Sequence, residues 1–235
     1  MTMSVPTDGK PKSPTDKLSW HNDLNYLNFY QIPSSLPVLK EYAEAFGLSS
    51  GCDIDIFFDE IKNAKELLDV GAGYGRAVQR LFSLGFSGKI HCVERSSVYC
   101  QQLALDFGDK IFIHQDDILN FYPLQQFDVA LSLWSGICDF QPHRQQAYLQ
   151  HLFQLLRGNG ILYLDTALWN VQPYNVEYLS QQYYRIKINE LEISGYIPSP
   201  EEIMTYAKVA GFSDVSHQYY HTDTHYKRLL YRLRK

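Results

Sequence analysis

The sequence predicts an α/β fold: one domain on a doubly wound, mostly parallel sheet of seven strands, closing with an antiparallel hairpin. Three observations predict it. From about residue 64 to residue 166, short β-rich apolar runs alternate with longer runs of helical period. Strands alternating with helices imply a parallel sheet covered on both faces. The first such run, ELLDV, breaks into glycines at alternate positions, Gly71, Gly73 and Gly75, before an amphipathic stretch. The last two runs, DVSHQYY and HYKRLLYRL, are separated only by HTDT. That is too short for a crossover helix, so the two pair antiparallel.

The elements follow in order. MTMSVPTDGKPKSPTDK, residues 1–17, is rich in Pro, Ser, Thr, Asp and Lys and has no apolar core. It reads as a disordered tail and not as a secretory signal. Residues 18–63 read as an N-terminal helical region, with VLKEYAEAF and DIDIFFDEIKNA as helices separated by Gly47 and Gly51. ELLDV is the first strand, and YGRAVQRLFSL follows with Val78, Leu81 and Phe82 at helical spacing. KIHCVE is the second strand. SVYCQQLALDF then repeats apolar groups at Cys100, Leu103, Ala104 and Phe107, the i, i+3, i+4, i+7 pattern of a helix. IFIHQ, FDVALSLW and GILYLDT are the next strands, with the long helix RQQAYLQHLFQLLR between the last two, ended by Gly158 and Gly160. Residues 167–198 form an insertion rich in Tyr and Trp without helical period. SPEEIMTYAKVAG starts cleanly: Ser199 caps, Pro200 takes the first turn, Glu202 closes a capping box and Gly211 stops the helix.

Composition sets the outer bounds. A chain of 235 residues supplies one sizeable core, and 45% hydrophobic with 20% charged residues is ordinary for a soluble globular protein. No run approaches the roughly 18 apolar residues of a membrane span, and the expected location is cytoplasmic. The net charge of −5 disfavours a nucleic-acid partner. The basic run KRLLYRLRK reads as an edge strand protected by its charges. Cys52, Cys92, Cys100 and Cys138 form no CxxC pair and the eight histidines show no HExxH. Reduced thiols and no metal site are expected.

Parallel sheets of this kind bind ligands outside the carboxyl ends of their strands. The glycine turn, Glu94, Asp117 and the segment after Trp134 all fall there in this reading. The turn fits a phosphate loop poorly. The dinucleotide fingerprint wants its third glycine where Arg76 stands, and the Gly-Lys-Ser/Thr of an ATP loop is absent. Leu67-Leu68-Asp69-Val70-Gly71-Ala72-Gly73-Tyr74-Gly75-Arg76 instead resembles motif I of the class I S-adenosylmethionine-dependent methyltransferases: an apolar strand, an acidic residue, then GxGxG.

That resemblance implies a Rossmann-like fold over residues 64–235, with S-adenosyl-L-methionine as cofactor and the insertion 167–198 as a wall of the acceptor pocket. The cofactor's methionyl part carries no phosphate, so the glycines serve close main-chain approach. The resemblance puts Asp69 near the cofactor's ammonium, Gly71, Ala72, Gly73, Tyr74, Gly75 and Arg76 in the loop beside it, and Asp117 with Ile118 at the adenine, with Asp116 as the alternative acid. Glu94, nineteen residues after Gly75, can accept both ribose hydroxyls; an NAD enzyme would use the same contact. Leu133, Trp134 and Ser135 would lie near the reacting methyl, with Trp134 either core or stacked on adenine. Asp128 reads as structural, at the far end of its strand. Tyr74 departs from the small residue or Thr common in the family, and either caps the methionyl end or faces the helix. Tyr26 and Tyr30 belong either to an aromatic-packed arm or to a lid over the cofactor. Trp169, Tyr174, Tyr178, Tyr183 and Tyr184 offer an aromatic wall suited to an apolar or cationic acceptor. The implied activity is methyl transfer to a small-molecule acceptor. The alternatives are a protein or peptide methyltransferase and a non-catalytic nucleotide-binding scaffold. No general base stands out among His143, Asp165, Thr166, His221 and His225.

Overall fold

The computed structural model describes residues 25–168, 176–180, 182–188 and 190–235; the tail expected over 1–17, and Trp169 and Tyr174, lie outside them. A short π-helical turn, Tyr26–Tyr30, leads into helix α1, Ser35–Ala45, and two single-turn helices, α2 (Cys52–Asp55) and α3 (Phe58–Ile61). Then β1 (Glu66–Val70), α4 (Arg76–Ser83), β2 (Lys89–Glu94), α5 (Ser97–Phe107), β3 (Phe112–Gln115) and β4 (Phe127–Ser132) alternate. Helix α6 (Pro142–Leu155) runs into β5 (Leu156–Ala167). A separate small sheet is built from β6 (Val176–Tyr178), β7 (Tyr183–Ile188) and β8 (Leu191–Tyr196). Helix α7 (Pro200–Ala210), β9 (Asp214–His221) and β10 (Lys227–Arg234) end the chain.

The main sheet has seven strands in the order β3-β2-β1-β4-β5-β10-β9. Its pairs are parallel except β10 with β5 and β9, so the doubly wound sheet with a terminal antiparallel pair is what forms. Both faces are covered, because strands such as Leu67–Leu68 and Ala130–Leu131 send consecutive apolar side chains to opposite sides. Ile54, Val78, Leu81 and Leu103 pack on one face with Leu67 and Leu131. Tyr148, Leu149, Leu152 and Ile203 pack on the other with Leu68 and Ala130. The Ser199–Glu202 capping box of α7 is present, with the Glu202 amide donating to Ser199 Oγ at 3.2 Å and the Ser199 amide to Glu202 Oε2 at 2.8 Å. Asp128 accepts from the amides of Lys65 and Glu66 and pairs with Arg157, so it ties the amino end of β1 to β4 and β5.

Three expectations are corrected. DIDIFFDEIKNA is two turns and not one helix. The break at Ile56–Phe57 lets Phe57 stack on Tyr163 with centroids 3.9 Å apart, while Asp53 and Asp55 turn to Arg76 and Arg80. Helix α6 stops at Leu155, before Gly158 and Gly160. Leu156 already pairs with Phe127, the register then shifts, and Asn159 takes φ +65°, so both glycines lie in the first, irregular part of β5. The basic run at the terminus is an interior strand; the edge on that side is β9. Its arginines serve partners far away in sequence. Arg228 pairs with Asp165, Arg232 with Glu60 and Asp214, and Arg234 with Glu60. The insertion is the three-stranded antiparallel sheet. Among the described residues no helix is long and apolar enough to cross a membrane.

Candidate functional site

A cavity sits outside the carboxyl ends of β1, β2, β3 and β4. Residues of the π-helical turn and α1, among them Tyr26, Phe29, Tyr30 and Leu39, form one wall, and Tyr184, Ile186 and Ile193 of the small sheet form another. The floor is the loop after β1. Its amides are pinned: Gly71 donates to Val93 O at 2.8 Å, Ala72 to the same oxygen at 3.3 Å, and Gly73 to Glu94 Oε2 at 2.8 Å.

The three glycines divide by role. Gly71 and Gly73 have φ of +67° and +55°, where only glycine sits without strain. A Cβ on Gly71 would meet nothing within 4 Å and one on Gly73 only Leu39 Cδ2 at 3.8 Å and Gly71 O at 4.0 Å, so both face the cavity. A Cβ on Gly75 would lie 2.3 Å from Phe107 and 2.8 Å from Leu103. Gly75 is therefore a packing glycine that lets α5 close on the loop, and it does not line the cavity. Arg76 lines it only in part. Its guanidinium points away, making 2.6 and 2.7 Å bonds to buried Asp53 and a 3.0 Å bond to Leu48 O. Tyr74 lines the cavity, with Lys40 Nζ 5.4 Å from its ring centroid.

Two carboxylates dominate the inner end. Asp69 is buried, and its Oδ2 has no hydrogen-bond partner among the described residues. Burial pushes its carboxyl up to about 7, with Arg76 pulling the other way. Such an orphaned oxygen is costly to bury and asks for a donor or a cation. Glu94 faces the crevice and accepts the amides of Gly73 and Ser96, at 2.8 and 2.7 Å. Burial raises it, and those backbone bonds lower it. Each oxygen keeps acceptor capacity toward the cavity.

Asp117 caps the turn Ile118–Asn120, accepting the Leu119 amide at 2.9 Å, and its other oxygen is 3.5 Å from Arg95. Asp116 accepts the Asp117 amide. Asp116, Asp117 and Ile118 all line the cavity, so the lining does not separate the two acids. Leu133 and Trp134 line it too. Trp134 and Ser135 take φ of +51° and +65°, an uncommon conformation for a bulky side chain that the surroundings must hold in place. They are held by β5 and β10. The Ser135 amide donates to Asp165 Oδ1 at 2.9 Å, and its hydroxyl accepts from Arg228 Nη2 at 2.8 Å and from the Ala167 amide at 3.0 Å. Asp165, weighed as a base from the sequence, is the buried partner of Arg228 and Tyr220, and although burial raises its carboxyl, Arg228 holds it below the usual carboxylate range. His143, His221 and His225 are exposed, and none of them lines the cavity.

Tyr30 lines the cavity; its carbonyl accepts from Ser96 Oγ at 2.5 Å and its hydroxyl hydrogen-bonds Asp139. The ring of Tyr26 lies under Arg95 at 4.3 Å. Of the aromatic residues noted in the insertion, Tyr184 lines the cavity, Tyr183 packs on Tyr196 and Tyr178 packs against the core. Sequence reasoning missed Asp139. This acid, in the turn Gly136–Asp139, lines the cavity and is raised to about 7 by burial. The sequence signal was slight: one carboxylate within SGICDF, just past the strand end already marked as reactive.

Residues 67–160 match the family model described as a methyltransferase domain. No curated protein is similar in sequence. Among solved structures, the 1,6-didemethyltoxoflavin-N1-methyltransferase of Burkholderia thailandensis, holding its substrate and S-adenosylhomocysteine, is 16% identical with a TM-score of 0.64, covering 98% of this chain and 94% of its own. CalS10, an amino pentose methyltransferase from Micromonospora echinaspora bound to S-adenosylmethionine, is 15% identical with a TM-score of 0.63, over 84% and 97%. The glycopeptide N-methyltransferase MtfA, with S-adenosylhomocysteine, is 13% identical with a TM-score of 0.64, over 87% and 99%. At these identities the likeness is one of fold.

Proposed function

We propose that this chain, a class I methyltransferase by its fold and by the domain at 67–160, transfers a methyl group from S-adenosylmethionine to a small-molecule acceptor. The observation that carries the reading is the floor of the cavity: bare main chain at Gly71 and Gly73 beside an orphaned buried carboxylate oxygen on Asp69. These features fit the cofactor's chemistry. Gly71 and Gly73 leave room for it, Asp69 answers its ammonium, Glu94 its ribose hydroxyls, and Asp116 or Asp117 with Ile118 its adenine. Bound there, S-adenosylmethionine supplies an electrophilic methyl on a cationic sulfur. The task left to the chain is alignment and exclusion of water. Tyr30 and the small sheet cover the cavity from two sides, and Leu133 and Trp134 shape the wall at the carboxyl end of β4. A cavity walled in this way favours a small acceptor over a protein surface.

Thermal denaturation tests the reading, because a ligand that binds only the folded state raises its apparent stability. S-adenosylhomocysteine is expected to raise Tm and NAD to leave it unchanged; the reverse result refutes the assignment. The shift is expected to be larger at pH 8 than at pH 6. In the folded protein Asp69 titrates at about 7, above its unfolded value near 3.9. Its stabilising effect on the ligand-free protein is therefore greatest at acid pH and is lost as pH rises through 7. An ammonium at Asp69 favours the carboxylate, so ligand stabilisation grows in that direction, and Asp69→Asn flattens it. Glu94→Ala is expected to weaken S-adenosylhomocysteine by about 1 to 3 kcal/mol, the loss of hydrogen bonds to a charged group. An unchanged Kd in calorimetry would remove Glu94 from the site.

A further inference from the structure

We propose that the acceptor is an amine, and that Asp139 holds its nitrogen in the tyrosine-walled end of the cavity. The inference rests on the methyl-transfer reading above and names its substrate class.

Charge points first. Asp69, Glu94, Asp116, Asp117 and Asp139 line the cavity, against Arg76, Arg95 and Arg228. Arg76 and Arg228 are already matched by Asp53 and Asp165, which lie outside the lining, and Arg95 is 3.5 Å from Asp117. The cavity is therefore net negative and selects cations. In the reading above Asp69, Glu94 and either Asp116 or Asp117 have places around the methyl donor, at the loop and strand ends of β1 to β3. Asp139 does not; it stands with Tyr30, Tyr148, Tyr184 and Phe140.

Asp139 is also deliberately held. Asn25 Nδ2 donates to its Oδ1 at 3.0 Å and to Ser194 O at 2.7 Å, while Asn25 Oδ1 accepts the Ser194 amide at 3.0 Å. One amide thus joins the start of the π-helical turn, the loop after β4 and the small sheet at this carboxylate. With the Tyr30 hydroxyl as second donor, Asp139 uses two of about four acceptor sites. An ammonium meets both the remaining lone pairs and the surrounding ring faces.

Proton affinity separates the candidate nucleophiles. Burial raises Asp139 to about 7. Proton transfer to it from an alkylammonium near 10.4 is uphill by roughly three powers of ten, and from an alcohol, close to water at about 15.7, by roughly nine. A phenol ionises at about 10 but becomes an anion beside carboxylates. In the step, the ammonium passes one proton to Asp139, and the nitrogen lone pair forms the N–C bond as the C–S bond breaks. The sulfur keeps that electron pair and becomes a neutral thioether. The methylated nitrogen leaves as an ammonium, and Asp139 returns its proton to solvent.

The test uses the full chain saturated with S-adenosylhomocysteine, titrated by calorimetry with benzylamine and cyclohexylamine against benzyl alcohol, cyclohexanol and p-cresol. The amines are expected to bind and the neutral partners not. With S-adenosylmethionine, the amines gain one methyl by mass. Asp139→Asn is expected to keep the full S-adenosylhomocysteine thermal shift, which shows it folded, yet lose the amine preference and about 100-fold in rate. The other groups facing Asp139 are Glu94, Cys138 and the hydroxyls of Tyr30, Tyr148 and Tyr184; the thiol and hydroxyls are all raised and stay neutral there. No amine preference in the wild type, or a preference that survives in Asp139→Asn, overturns the proposal while leaving methyl transfer standing. Absence of any S-adenosylhomocysteine shift in the wild type overturns both.

Discussion

Gly73→Val is expected to leave no measurable binding of S-adenosylhomocysteine in a protein that still folds. At φ +55° the new Cβ would project into the cavity, where Leu39 Cδ2 at 3.8 Å is the nearest side-chain atom. Its two methyls would then occupy space the ligand needs. Backbone strain is the confounding effect, since a left-handed position costs a non-glycine residue about 1 to 2 kcal/mol. That is too little to unfold a domain of ordinary stability, about 5 to 15 kcal/mol. Gly85 supplies the control. It has φ +84°, nothing within 4 Å of its Cβ position, and lies in the turn after α4, away from the cavity lining. Gly85→Val should lower Tm about as much and bind S-adenosylhomocysteine normally. Calorimetry on both variants separates occlusion from strain. Normal affinity in Gly73→Val would place the ligand away from this loop.

Much of the fold was legible because it rests on local signals. Short β-rich runs, helical spacing and glycine stops mark the first four strands and their helices, and the four-residue HTDT turn forces an antiparallel pair. The cavity end of the sheet was legible for the same reason: Asp69, Glu94, Asp117 and Trp134, which line it, stand just before or after strand ends that the runs themselves define. Other features depend on contacts distant in sequence. KRLLYRLRK is an interior strand because β5 pairs it on one side and β9 on the other, and its arginines reach partners as far away as Glu60, 172 positions from Arg232. Gly75 looks like its two neighbours in the motif, and only the approach of Phe107 separates packing from ligand clearance. Asp139 sits in a short 3₁₀ turn with no periodicity to flag it, and its partners Asn25 and Tyr30 come from far earlier in the chain, Asn25 114 positions away.

Arg228→Leu is expected to cost about 3 to 5 kcal/mol of stability, the usual result of leaving one member of a buried ion pair uncompensated. Asp165 is fully buried and Arg228 is 3% exposed. Asp165 accepts Arg228 Nε at 2.7 Å and Nη2 at 2.8 Å, the Tyr220 hydroxyl at 2.5 Å and the Ser135 amide at 2.9 Å. In the wild type Arg228 keeps the Asp165 carboxyl low, so its contribution to stability is present above the unfolded value near 3.9 and is lost as pH falls through the lower folded value. Without the arginine, burial raises it instead. The variant should then be least stable at neutral pH and recover as pH falls toward 5, a reversed sign that denaturant titration across pH reads directly. Adding Asp165→Asn removes the buried charge, and should restore most of the stability. It should not restore the site. Arg228 Nη2 also holds Ser135 Oγ at 2.8 Å, and Ser135 with Trp134 forms the left-handed bend at the cavity wall. A double variant of near wild-type stability with weakened S-adenosylhomocysteine binding would assign the pair to shaping that wall. Full recovery of both would leave it a packing feature of β5 and β10, with the bend held by the Ala167 amide and its neighbours alone.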